Sequence, residues 1–188
     1  MTTSPADAPT MPSPDADESA RSSSPEVARR DVVVVLGSFL VLGLAAGILW
    51  WLLVDPAQFT KAANGGLAMG EVELGKRFDD DGWFAVIAGV VGLFSGAVVT
   101  WWRSRDPLLT AVLVLVGSAL AGSVMAALGG VLGPPDPSSV VAVTSVGDTV
   151  PMQLGVSGFV GYLVWPITAL AGALLVLWSP VPDSTGPV

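Results

Sequence analysis

Residues 83–133 read WFAVIAGVVGLFSGAVVTWWRSRDPLLTAVLVLVGSALAGSVMAALGGVLG, two charge-free apolar runs separated only by Arg103-Ser104-Arg105-Asp106. Each run has the length that a helix rising 1.5 Å per residue needs to cross roughly 30 Å of hydrocarbon. The connection is too short for anything except a tight turn, so the two helices must be antiparallel neighbours. Asp106 before Pro107 has the pattern of an N-cap followed by proline at the first helical position, and Gly133-Pro134-Pro135 ends the second run. The expected spans here are 83–102 and 107–133.

Working outward, two more runs of the same kind appear. Val32 to Val54 holds no charge, is entered past Arg29, Arg30 and Asp31, and stops at Asp55-Pro56, where the residue before proline disfavours helix. Trp50 and Trp51 near its end suit the headgroup boundary, where amphipathic rings collect. The last run covers 154–178 and ends at Ser179-Pro180, with Pro166 inside it. An internal proline removes one backbone hydrogen bond and predicts a kink.

Lipid offers no partner to backbone N–H and C=O groups, so a spanning segment must satisfy them itself, as a helix or a closed barrel. Barrel strands are about ten residues of alternating polarity, and these runs are twice that length and apolar on every face. The fold expected is an all-α membrane domain, 31–180, with four helices near 32–54, 83–102, 107–133 and 154–178. It is flanked by a disordered acidic Pro/Ser-rich tail, 1–30, and a short tail, 181–188. A composition of 52% hydrophobic and 13% charged residues agrees, because charge is pushed out of the spans. A cleaved signal peptide fits poorly, since the first run is too long and no small-residue cleavage site interrupts its end.

Basic residues set the expected sidedness. Arg21, Arg29, Arg30, Arg103 and Arg105 fall on one side, against Lys61, Lys76 and Arg77 on the other, which favours both termini in the cytoplasm. The two longer loops then lie outside. Glu71-Val72-Glu73-Leu74 alternates and Val140 to Thr144 is rich in β-branched residues, so two short strands pairing across the bundle mouth are expected, the alternative being two irregular loops.

The chain has no cysteine and no histidine, which removes disulfides, thiolate chemistry and the commonest general base and transition-metal ligands. A net charge of −8 argues against nucleic acid as a partner. Asp79-Asp80-Asp81 is the densest acidic cluster. It is a candidate divalent-cation site through carboxylate oxygens, but no calcium-loop spacing surrounds it, and a solvated start to the second helix is the favoured reading. No cofactor or catalytic residue is expected. Small residues recur at helix-contact spacing: Gly43 and Gly47, Gly92 and Gly96, Ser118 and Gly122, Ala169 and Ala173. In lipid, such stripes let backbones approach, here within one monomer in preference to self-association. The spans hold no ionisable side chain to mark an ion path, and nothing places a nucleophile beside a base.

Phe78-Asp79-Asp80-Asp81-Gly82-Trp83-Phe84, followed by Gly89 and Gly92, then Pro107, Gly117, Gly122, Gly133-Pro134 and Trp165-Pro166, resembles the small four-helix membrane proteins of actinobacteria known as a domain of unknown function. The resemblance covers most of the chain after Val32. It implies a four-span plasma-membrane protein of a high-GC Gram-positive lineage and supplies no activity or ligand. The functional expectation is a non-catalytic accessory, scaffold or regulatory protein, in contact with lipid and with another membrane protein. The alternative is a small-molecule or lipid transporter or channel subunit using Gly-lined space and the Pro166 kink.

Overall fold

A computed structural model describes residues 25–103 and 106–179. The element order is α1 (Pro25–Leu53), β1 (Gln58–Lys61), β2 (Leu67–Ala68), α2 (Glu71–Trp102), α3 (Pro107–Leu132), α4 (Pro137–Val140), β3 (Thr149–Pro151) and α5 (Phe159–Trp178). The packing below belongs to the compact unit that begins at Val35. Helices α1, α2, α3 and α5 are long and apolar enough to cross a membrane. Residues 1–24 and 181–188, where the sequence reading puts free tails, lie outside the described residues.

The helices form two close pairs. Along α1 and α3, a β-carbon on Gly43 would lie 2.7 Å from the carbonyl oxygen of Ala121, and one on Gly47 would lie 3.1 Å from that of Met125. The α3 glycines answer in kind, Gly117 lying under the Phe39 ring and Gly129 under the Trp50 ring. Along α2 and α5, Gly96 faces the Ala169 carbonyl and Gly172 faces the Leu93 carbonyl, again without space for a side chain. Trp165, fully buried, joins the pairs: its backbone and ring edge meet Gly92 of α2, and its Cβ lies against Gly122 of α3. Buried Ser118, Ala169 and Ala173 complete this interior. All of the small residues named from sequence therefore stand inside one chain's fold.

At one end of the bundle the loops build a three-stranded antiparallel sheet in the order β2-β1-β3, with Thr60 opposite Ala68 and Phe59 opposite Val150. The β1–β2 turn passes through Gly65 at φ +82°, a left-handed conformation that glycine adopts without a Cβ clash. It is closed by Ala62 N–H donating to Gly66 O and Gly66 N–H to the Asn64 side chain.

The structure corrects several sequence expectations. A small sheet exists, but from different strands. Glu71 to Leu74 are the first turn of α2, and Val140 closes a single helical turn, α4, begun by Asp136 accepting from Ser138 N–H at 2.8 Å. Helix α2 begins at Glu71 instead of 83, because the tertiary bonds of Glu73 and Lys76 described below hold its polar turns in place. Helix α1 begins at Pro25, so 25–30 are helical where a disordered tail is expected; proline suits a first helical position. Helix α5 starts at Phe159 instead of 154, since Leu154 leaves the helix path to be buried beside Gly133. Gly158, at φ +95°, makes the entry. Helix α5 continues on both sides of Pro166, the position at which the kink is expected. Trp50, expected at a headgroup boundary, is fully buried, whereas Trp51 is exposed.

Candidate functional site

Among the described residues, a cluster of bonded charged side chains gathers at the sheet end, where α1 stops and α2 starts. Lys76 binds Asp55 at 3.0 Å and Glu73 at 3.4 Å, and this pairing, with Asp55 first, raises its pKa above the usual lysine value. Glu73 also accepts the Gln58 N–H at 2.7 Å, which ties β1 to the first turns of α2. Asp81 accepts the Ser157 N–H at 2.9 Å and so holds the approach to α5. Lys61 reaches across the loop to donate to the carbonyls of Val141 and Thr144, at 2.8 and 2.7 Å.

Between these ties lies an open cleft of about 270 Å³ lined by Leu53, Val54, Asp55, Lys76, Asp79, Asp80 and Trp83. Helix geometry sends the consecutive acids Asp79, Asp80 and Asp81 in different directions, roughly 100° apart. Asp79 is exposed, Asp81 faces the α5 approach, and Asp80 is only 4% exposed. The Asp80 backbone carbonyl accepts from Trp50 Nε1 at 3.0 Å, and the Trp50 ring meets Phe84 edge-on at 5.1 Å. Trp50 thereby clamps α1 to α2 directly behind the cleft.

Asp80 lies just before the charge-free part of α2, which begins at Trp83. Burial, reinforced by the carboxylates of Asp81, Asp79 and Asp55, pushes its pKa up to about 6, with Lys76 pulling the other way. The acidic cluster is thus not the solvated start of a helix: it occupies the third turn of α2, beyond the reach of the helix-end dipole. As a metal site it also fails to converge, since among the described residues no group of three or more Asp, Glu, His or Cys side chains is placed to hold an ion.

No family model, curated protein or solved structure matches this chain.

The sequence reading picks out Asp79 to Asp81 but misses Asp55, Lys76, Trp50 and Trp83 as their neighbours. Lys76 precedes Asp80 by one helical turn, a spacing that brings side chains together once the segment is known to be helical. Asp55 comes from another element, and nothing local in the sequence announces it.

Inside the bundle, hydroxyls serve the backbone. Ser95 donates to Gly92 O and Ser118 to Leu115 O, both at 3.0 Å, and Thr168 donates to Val164 O at 2.8 Å. Two buried donors, Thr100 Oγ1 and Trp165 Nε1, have no hydrogen-bond partner among the described residues.

Proposed function

We propose that this chain is a multi-pass plasma-membrane protein with both termini in the cytoplasm, acting as a non-catalytic accessory, scaffold or regulatory component of a membrane complex. The observation that carries this reading is how the interior is used. The small residues of α1, α2, α3 and α5 are taken up in contacts with one another, and the core hydroxyls of Ser95 and Ser118 are turned to their own helices. Such an interior supports a rigid packed bundle over a hydrated path. What the fold leaves for interaction is the sheet end and its loops, stabilised by side-chain ties from Lys61, Glu73 and Asp81. The basic residues of the 103–106 turn support its cytoplasmic placement, and the resemblance to actinobacterial four-helix proteins supports the plasma membrane.

The test is site-specific photo-crosslinking in cells, with a crosslinker at exposed Val143 in the sheet-end loop and a control at Leu175 on α5. The expected result is one reproducible protein adduct from Val143 that the control lacks. Recovery of uncrosslinked chain alone from both positions would count against an accessory role. Solute flux in proteoliposomes, altered by substituting Pro166, would replace that role with the transporter reading.

A further inference from the structure

The cleft between the end of α1 and the third turn of α2 contains a charged group that the fold leaves unused. Asp80 is 4% exposed and lines that cleft, yet among the described residues no hydrogen bond or ion pair reaches its carboxylate. The nearby cation, Lys76, favours the charged form only from a distance, its ammonium being bonded to Asp55 and Glu73. The ionised carboxylate has thus lost most of its water without gaining a partner, which lowers stability. A group kept at a cost to the empty protein is what a binding site for a cation requires.

The remaining walls say which cation. Inorganic divalent ions take six or more oxygen ligands, and no converging set is present here. The cleft instead combines three carboxylates, Asp55, Asp79 and Asp80, with one cation, Lys76, that Asp55 and Glu73 already bind, beside Trp83 and an apolar edge from Leu53 and Val54. An aromatic face and apolar wall offer little to a hydrated metal ion but favour an organic cation. Carboxylate acceptors reward N–H donors, and a primary ammonium carries three of them. We infer that this cleft binds a primary ammonium group on a short apolar or amphiphilic body, with Asp80 as the anchoring anion, Asp79 as a second acceptor and Trp83 covering the cation. The inference goes beyond the accessory reading and does not rest on it. Trp83 stands where the charge-free part of α2 begins, so the ammonium has two sources, an aminophospholipid headgroup or a soluble alkylamine.

The experiment is calorimetric titration of the full-length protein, in phosphatidylcholine nanodiscs at pH 8, with butylammonium chloride. Saturable binding is expected. Asp80→Asn should weaken it at least tenfold, Trp83→Leu severalfold, and Glu71→Gln, outside the cleft, not at all. Tetramethylammonium should bind at least tenfold more weakly, and magnesium chloride should not displace the amine. Repeating the titration in discs containing phosphatidylethanolamine separates the sources: a loss of apparent affinity assigns the site to the headgroup, and an unchanged affinity assigns it to soluble amines. Absence of saturable binding to the wild type in phosphatidylcholine, equal binding by folded Asp80→Asn, or displacement by magnesium would each overturn the assignment. Should Asp80→Asn fail to fold, unchanged affinity in Trp83→Leu would overturn it as well.

Discussion

At the scale of single residues, Asp80 and Gly96 show how burial changes the value of a side chain. The folded pKa of Asp80, about 6, lies above its ordinary 3.8, so between these values the folded state holds more protons than the unfolded one. Stability contributed by the protonated form is therefore lost as pH rises through about 6 and regained as it falls. Asp80→Asn should remove that slope and raise the melting temperature at neutral pH, where the wild type carries the unpaired charge. Thermal unfolding in detergent at pH 5 and pH 8 reads both effects, and a variant that unfolds earlier than wild type at pH 8 would refute the assignment of strain to this carboxylate. Gly96 is the opposite case, a residue whose value is the absence of atoms. Its missing Cβ is where the Ala169 carbonyl sits, and because the obstacle is backbone, Gly96→Leu must force α2 and α5 apart. A loss of about 3 kcal/mol is expected, the upper range for overpacking, with lower melting temperature as the readout.

At the scale of elements, the informative case is α2. Its 32 residues make a helix of about 48 Å, longer than the roughly 30 Å of a hydrocarbon core. The Glu71–Gly82 portion carries the charges and the apolar portion starts at Trp83. Local pattern misleads in the charged portion, since Glu71-Val72-Glu73-Leu74 alternates as a strand would. Non-local bonds decide it, through Glu73 to Gln58 and Lys76 to Asp55. The strands that do form, 58–61 and 67–68, flank Asn64-Gly65-Gly66. Asn-Gly is a turn signal legible in sequence; the shortness of its strands hides it. Lys61 fixes the 141–144 loop by two carbonyl contacts. Lys61→Met keeps the aliphatic stem and removes both, so amide hydrogen exchange in Val141 to Thr144 should accelerate at least several-fold while exchange in α3 is unchanged.

At the scale of the whole molecule, the spans, their sidedness and their solvent are one prediction. The chain has no cysteine, so single-cysteine variants report position unambiguously. With both termini in the cytoplasm, Asn64→Cys should react with a membrane-impermeant maleimide in intact cells, and Ser104→Cys only after permeabilisation. The reverse pattern would invert the topology, and release of the protein by alkaline carbonate would remove it from the bilayer. Charge-free length is enough to read the four long apolar helices from sequence, because the cost of an unpaired backbone group in an apolar medium leaves one local solution.

What the sequence alone determined is therefore the number and kind of the long helices, the four-residue length of the 103–106 connection between two of them, and the residue types available for close contact. Each depends on neighbours within a few turns of one helix. Only the tertiary structure decided that Gly43 meets Ala121 and Gly96 meets Ala169, that Trp50 is buried behind Asp80, and that Asp55, Asp80 and Trp83 share a cleft. A helix surface advertises what it can pack, not against which partner, since a stripe of small residues fits any other stripe equally well until all four helices and their loops are placed together.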